Sequence, residues 1–562
     1  MIGKNLEFRK DTLAFARVFL FAVIDNASIF WYDDIEATME NIRRYLYQNK
    51  IKTLIVFLLQ ILMWGMQVIV QFFAIKTFDG AIRLDIQHFL KWISISFAGW
   101  LAYYLICMLE SYFRAMAIKS MNNDLRKDFY ETIYNGDIKN FGGEKRAEYI
   151  SYITKNVDEI STLAWESVFN LVGRVAQIVW SVAALLYLDF YLFLFAVFST
   201  LIMWSMPKIF EKRIEKIGED NLKAQAEAMK KFKDLIYGVH ILKILSAKNW
   251  YLKRGMDASE ISEEAKSRKN YMTEILECTM GIVSVLMQIL AEVIVVVLAF
   301  YGRIGVAVLA GAANLIGGVT NGLSNLTNAK MMIMQSKPYF EILKSTETER
   351  VCEESFNETL TLKNISYSYD DKQILKGMNM EFKKNGKYAI VGKSGHGKST
   401  ILKIIMGIIK DYEGEVIYDG SVRGKALDTN MSYISQDVYL FNATIKENIV
   451  LGGDFSGKDM NNALFKSSLQ TDIENFKDGI DTIVGENGAN ISGGEKQRIA
   501  IARSLINGKD TILIDEGTSA LDRENRAAIE ENLLKSENLT IIMVSHNLDE
   551  NTRKLFDEIY EI

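Results

Sequence analysis

The chain has 562 residues, 49% of them hydrophobic, with a formal net charge of −5. So much apolar side chain with so little net charge excludes global disorder, and the acidic balance argues against a nucleic-acid partner. The three cysteines, Cys107, Cys278 and Cys352, stand far apart and in no metal-ligand spacing, which argues against a disulfide framework or a zinc site.

Apolar runs fill the first ~340 residues, and the last ~215 alternate strand-like and helix-like patterns. Residues 1–35 contain a run at 13–24 that is too short to span a bilayer and is interrupted by Arg17. No small-residue cleavage site follows it, which argues against a signal peptide and favours an interfacial anchor, with a poorly ordered tail as the alternative. Residues 36–49 pattern as an amphipathic helix along the membrane. Six segments then reach spanning length, near 54–75, 89–109, 163–186, 190–210, 275–301 and 304–325. Only two prolines occur, Pro207 and Pro338, which suits long helices. Short turns at Leu188-Asp189 and Tyr301-Gly302-Arg303 carry few basic residues. The long connections at 110–160 and 211–270 carry many, among them Arg114, Lys119, Arg126, Lys216, Lys230 and Lys231. The one-sided bias places both long connections and both termini in the cytoplasm.

Polar groups inside spans are costly and therefore informative. Asn314, Asn321, Asn325 and Asn328, with Gly311 and Gly318, fall within about 100° of one helical face. The pattern fits a water-filled pathway lined by amides or a close-packed seam with interhelical hydrogen bonds. Glu166, Arg174, Glu277 and Glu292 are candidates for the same space, or for pairing with one another. The expected substrate path is Arg174, Glu292, Asn314, Asn321 and Asn325.

A charged linker at 345–359 precedes the soluble half, 360–562. There Lys387-Tyr388-Ala389-Ile390-Val391 reads as a buried strand running into Gly392-Lys393-Ser394-Gly395-His396-Gly397-Lys398-Ser399-Thr400 and then a helix. Strand, G-x-x-x-x-G-K-S, helix is the context of a phosphate-binding loop. Its glycines let successive backbone N–H groups face one anion, and the helix N-terminus adds its dipole. Lys398 is expected to reach the β- and γ-phosphates of ATP, and the Ser399 hydroxyl to join a Mg²⁺ shell. Farther on, Thr511-Ile512-Leu513-Ile514 is a buried strand ending in Asp515-Glu516. Asp515 suits Mg²⁺ binding, and Glu516 suits a general base acting on water.

Ile491-Ser492-Gly493-Gly494-Glu495-Lys496-Gln497-Arg498, lying between the loop and the acid pair, resembles the signature motif of ABC ATPases. Tyr369 resembles the adenine-stacking aromatic, Gln436 in Y-I-S-Q the Q-loop glutamine, and Ser519-Ala520-Leu521-Asp522 the D-loop. His546 resembles the switch histidine, and T-I-V-G-E-N-G the X-loop of exporters. The six spans with long second and fourth connections are similar to those of ABC exporters. Three departures stand out. Ile491 and Glu495 replace the commoner Leu and Gln, the segment from Gly420 to Gln436 is short, and the sequence stops where relatives continue. Either it is trimmed there or this member has a minimal C-terminus.

The resemblance implies a six-span helical membrane domain, 36–344, fused to a soluble α/β P-loop ATPase domain. It implies a multi-pass protein of the bacterial inner membrane with its ATPase domain in the cytoplasm, and coupling helices near 140–145 and 235–240. The implied catalytic residues are Glu516, His546 and Gln436. ATP would lie on Tyr369, Gly392, Ser394, Gly395, His396, Gly397, Lys398, Ser399 and Thr400, closed by Ser492, Gly493, Gly494 and Asp522. Mg²⁺ would lie on Ser399, Gln436 and Asp515. The working unit would be a homodimer, or a heterodimer with a similar half-transporter, embedded in lipid and exporting a peptide, drug-like compound or lipid. The rival class is a nucleotide-gated regulator without transport. A peptidase-coupled exporter is disfavoured because no cysteine precedes Cys107.

Overall fold

The structure is a computed structural model describing residues 36–136, 149–344, 351–352, 355–369, 372–393, 395–516, 523–545, 548 and 550–562. Residues 1–35, much of the 345–359 linker, the first expected coupling helix, Ser394, Asp522 and His546 lie outside the described residues. The chain divides into a helical unit, ending at residue 345, and a second unit that holds residues 346–562.

The helical unit comprises α1 (Glu36–Gln48), α2 (Lys50–Ile82), α3 (Ile86–Tyr134), α4 (Ser167–Leu188), α5 (Phe190–Ser205), α6 (Pro207–Tyr237), α7 (Val239–Ile244), α8 (Lys248–Phe300), α9 (Leu309–Gln335) and α10 (Lys337–Lys344). Wide π-type turns at Tyr152–Asn156 and Ser161–Glu166 lead into α4. Among the described residues, five helical runs are long and apolar enough to cross a membrane. The fourth expected span, 190–210, is helical but is divided between two helices. Helix α5 has only 16 residues, short of the ~20 that a span needs. Pro207, at the first position of α6, removes an N–H where a continuous helix would use it. Met206 keeps helical dihedrals (φ −62°, ψ −46°), so the helix passes the break with its direction interrupted rather than reversed. Pro338 likewise sits in the first turn of α10, so neither proline interrupts a helix interior.

The long connections are themselves helical, since α3 runs 49 residues and α8 runs 53. Ile42, Tyr45 and Leu46 of α1 are buried in one core with Met121 and Leu125 of α3 and Trp165 before α4. Polar rungs tie this end together: Tyr45 to Asp128 at 2.7 Å, Asn49 to Asp124 at 2.7 Å and Lys52 to Ser120 at 2.7 Å. At the opposite end Asp189 caps α5 by accepting from the Tyr191 N–H. Arg303 reaches Asp189 at 3.1 Å, joining the two short turns.

Among its described residues the second unit contains two large sheets and a two-residue parallel pairing of Val351–Cys352 with Leu427–Asp428. Strands β1 (Thr359–Tyr369), β2 (Lys372–Lys383) and β4 (Glu413–Tyr418) form an antiparallel sheet in the order β2-β1-β4, extended by the two-residue strand Ser421–Val422. The other sheet is wholly parallel, with β3 (Lys387–Val391), β5 (Met431–Ile434), β6 (Thr511–Asp515), β7 (Thr540–Ser545) and β8 (Glu558–Glu561) in the order β8-β3-β7-β6-β5. Every residue of β6 and β7 is buried, as central parallel strands covered on both faces require.

The short segment after Gly420 is held by a buried polar cluster. Arg423 donates to the Ile405 carbonyl at 2.6 Å and the Ile404 carbonyl at 3.2 Å, capping the end of the helix Lys398–Ile405. It also donates to the Tyr418 hydroxyl at 2.7 Å and pairs with Asp428 at 3.5 Å, while the Tyr418 hydroxyl donates to Asp428. Both charged side chains are almost wholly excluded from solvent. Breaking a buried pair from one side leaves an uncompensated charge. Arg423→Ala is therefore expected to destabilise this unit by about 3–5 kcal/mol. A lowered urea midpoint for its unfolding in the purified full chain would register the loss. Arg423→Met with Asp428→Leu should recover most of it.

Candidate functional site

Four chain segments leave the parallel sheet at one edge. In register, Ser545 lies opposite Val391, Val544 opposite Asp515, and Ile434 opposite Ile514. The carboxyl ends of β3, β6, β7 and β5 therefore present Gly392, Glu516, Ser545 and Ser435-Gln436 at neighbouring positions. In open parallel sheets this edge is where ligands bind.

The loop after β3 is built for close approach to an anion. Gly395 and Gly397 adopt φ +83° and +85°, which L side chains rarely tolerate. Gly397 then caps the helix Lys398–Ile405, whose first N–H groups face the loop. Lys398 is buried, and its ammonium donates to the carbonyls of Gly392 at 2.9 Å and Lys393 at 3.1 Å, inside the ring the loop makes. His396 and Thr400 belong to the same turn. Tyr369, at the end of β1, exposes 67% of its surface, an open face on which a purine can stack.

The acid pair closes the other side. Ser399 Oγ donates to Asp515 Oδ1 at 2.6 Å, so the phosphate-loop helix and β6 bring two hard oxygen ligands together. That donor chemistry fits Mg²⁺, which takes few protein oxygens and completes its shell with water and phosphate. Gln436 Nε2 donates to Glu516 Oε2 at 3.1 Å. Glu516 is held at φ +52°, a conformation costing a non-glycine residue on the order of 1 kcal/mol. This turn swings its carboxylate out of the strand line.

Ser492 begins the helix Gly493–Ile506 with a reciprocal capping box. The Ser492 N–H donates to Glu495 Oε2 at 2.5 Å, and the Glu495 N–H to Ser492 Oγ at 3.3 Å. The departure at Glu495 thus has a structural use, and Ile491 packs against the adjacent core.

The family described as ABC transporter matches residues 375–519, and the ABC transporter transmembrane region matches residues 53–323. The chain belongs to the ABC transporters. It is a half-transporter, a multi-pass membrane protein carrying one transmembrane region and one ATP-binding domain of ABC type. It is 32% identical over 253 residues to the ATP-dependent lipid A-core flippase of Francisella tularensis subsp. holarctica (strain OSU18), covering 42% of this chain and 41% of that protein. The match therefore spans less than half of that flippase. The uncharacterized ABC transporter ATP-binding protein YfiB of Bacillus subtilis (strain 168) is 25% identical over 492 residues, covering 83% of this chain and 84% of YfiB. A solved bacterial Atm1-family ABC exporter with ATP bound shares the fold, with a TM-score of 0.78 at 22% identity over 92% of this chain and 93% of that one.

In the transmembrane region of this ABC transporter, Asn314, Asn321 and Asn325 are all exposed on one face of α9. Their edges bond to flanking helices. Asn314 donates to Gln71 Oε1 at 3.0 Å, and Asn321 Oδ1 accepts from Ser284 at 2.9 Å, whereas Asn325 donates to the Asn321 carbonyl at 2.8 Å. The glycines of the stripe serve packing instead. A Cβ on Gly318 would stand 2.4 Å from Ser181 Oγ, and one on Gly311 2.9 Å from Ile75. Glu292 is exposed on α8 in one row with Ser284 and Gln288. Arg174 donates to Gln177 at 3.0 Å and lies over the Trp64 ring, 5.1 Å from its centroid. Glu166 and Glu277 are exposed.

Two contacts of the ATP-binding domain have no signal in its motifs. Tyr433 donates to Asp515 Oδ2 at 2.9 Å, and Arg498 clasps Asp472 through two bonds of 2.5 and 2.9 Å. The first follows from the parallel pairing of β5 with β6, and the second joins residues 26 positions apart. A methyl group on Gly397 would lie 2.6 Å from Leu375 and carry a strained φ. Gly397→Ala is accordingly expected to weaken ATP binding at least ~10-fold, about 1.4 kcal/mol, in equilibrium binding of a fluorescent ATP analogue.

Proposed function

We propose that this half-transporter pairs with a second copy of itself, hydrolyses ATP, and exports a peptide, drug-like compound or lipid from the cytoplasm by alternating access. The observation that carries the proposal is the meeting of Ser399, Asp515, Glu516 and Gln436 at the edge that also bears the phosphate loop, in a chain with apolar spanning helices. The basic long connections support an ATP-binding domain on the cytoplasmic face of a bacterial inner membrane.

In this reading the backbone N–H groups of 392–400 cradle the phosphates, Ser394 among them, and Tyr369 stacks the adenine. Lys398 exchanges the carbonyls of Gly392 and Lys393 for phosphate oxygens. Ser399, Asp515 and Gln436 hold Mg²⁺, which supplies charge neutralisation for the transferring phosphoryl group. Glu516 accepts the proton of the attacking water, a role typically worth about 10²–10⁴ in rate. His546 and Gln436 orient the reacting groups. Ser492, Gly493 and Gly494 of the partner subunit close each site, with Asp522 between the two. Gln436 carries closure to the membrane part through short helices at 140–145 and 235–240. The end of α6, the α7 turn at Gly238 and the exposure of Ile236, Tyr237 and Val239 support that role for the second helix. Asn314, Asn321, Asn325, Arg174 and Glu292 line the path.

Glu516→Gln should nearly abolish hydrolysis while ATP still binds, read by phosphate release and by equilibrium binding. Retained turnover would remove Glu516 from the base role. Proteoliposomes of the parent protein should move a labelled peptide, dye or lipid only with ATP, and the absence of flux for all three would overturn export. Asn321→Leu combined with Asn325→Leu should shift the concentration at which a transported probe stimulates hydrolysis. An identical stimulation curve would return those amides to packing.

A further inference from the structure

Strand β5 delivers two donors to the acid pair at the end of its neighbour. Tyr433 sends its hydroxyl to Asp515 Oδ2 at 2.9 Å, and three residues later Gln436 reaches Glu516 at 3.1 Å. The Tyr433 ring packs against the core that contains Leu402 and Leu513, so packing rather than the hydrogen bond sets its orientation. Burial, then the charge of Asp515 and the bond to it, push the phenol above its ordinary pKa. Facing a carboxylate oxygen, which can only accept, the hydroxyl is the donor of this bond.

Asp515 is itself buried, and its two oxygens have different partners. Oδ1 accepts from Ser399 at 2.6 Å, whereas Oδ2 accepts from Tyr433. A serine hydroxyl can rotate its proton away and turn a lone pair toward a cation. The phenol cannot swing away in the same manner, because its ring is packed against the core and keeps the hydroxyl at Oδ2. The geometry points to Tyr433 as a positioning residue that holds Asp515 Oδ2 in a hydrogen bond and so turns Oδ1, beside Ser399, toward a divalent cation. This rests on the reading of the site as an ATPase centre.

Selectivity among cations follows. Ca²⁺ readily takes both oxygens of a carboxylate, whereas Mg²⁺ demands near-octahedral geometry and favours one. A hydrogen bond to one carboxylate oxygen draws charge from it and fixes the rotation of the group, which disfavours the two-oxygen mode. Tyr433 thereby tilts the site toward Mg²⁺ and its close mimic Mn²⁺ and away from Ca²⁺. Removing a hydrogen-bond partner of a metal ligand typically costs about 10–100-fold in metal affinity.

The test uses Tyr433→Phe in the full chain, which keeps the ring and deletes only the donor. Mn²⁺ binding is measured by electron paramagnetic resonance with a non-hydrolysable ATP analogue present, and Ca²⁺ is titrated as competitor. The expected result is a rise in the Mn²⁺ dissociation constant of about tenfold, with Ca²⁺ displacing Mn²⁺ at a lower ratio than in the parent. Unchanged Mn²⁺ affinity and unchanged Ca²⁺ competition would overturn the inference. So would a parallel loss of melting temperature and of metal-free nucleotide binding in EDTA, which would make Tyr433 a packing element only. Because no turnover is involved, these readouts are separable from the hydrolysis assay. If Glu516→Gln keeps full activity while Tyr433→Phe shows the metal shift, the base assignment falls and this one stands.

Discussion

A strand buried on both faces of a parallel sheet can offer a reactive side chain to solvent only where the chain leaves it. That constraint governs the ATP-binding domain. The strands β3, β6 and β7 are committed to burial along their lengths, and with the half-buried edge strand β5 they end at one edge because all run the same way. The glycine loop, the acid pair and the glutamine are three of those exits. Their chemistry is short-range because their strands are neighbours, at distances of 2.6 to 3.1 Å between side chains. Strain is tolerated there too, in the positive φ of Glu516, because the sheet over-determines the position of its last residue.

The transmembrane region obeys a different constraint, since lipid offers polar groups no partners. Several of its buried polar side chains are accordingly paired across helices, Gln60 Nε2 with Glu110 and Ser284 with Thr320, while Thr53 Oγ1 and Gln60 Oε1 have no partner among the described residues. The asparagines of α9 satisfy part of their bonding at their edges and still present an exposed face that, among the described residues, no helix covers. Glycines on the adjoining strip let the neighbouring helices come close enough to make those edge bonds. Packing seam and polar face are thus two sides of one helix rather than rival descriptions of it.

Sequence legibility follows from how local each signal is. The phosphate loop, the acid pair and the signature segment are contiguous, so spacing alone locates them, and the apolar runs locate most of the spans. Within the fourth span, 190–210, hydropathy does not register the division at Pro207, where the proline lacks an N–H and one helix gives way to the next. Glu495 looked like a departure until its reciprocal bond to Ser492 was visible. Tyr433 and Arg423 could not be found by spacing at all. Their partners lie across a strand pair or a loop, and only the three-dimensional register decides which residue meets Asp515 or caps the helix at Ile405.

The two wide turns before α4 change how that helix has to be measured. Each accommodates about one residue beyond an ordinary turn and so rotates everything after it by roughly 100°. A stripe drawn from residue 149 therefore does not continue onto the side that carries Arg174. Deleting one residue within Ser161–Glu166 lets that turn relax to ordinary α geometry. The end that precedes the turn then re-indexes by one side-chain step against a span that keeps its own contacts, so the helix behaves as a screw with two adjustable threads.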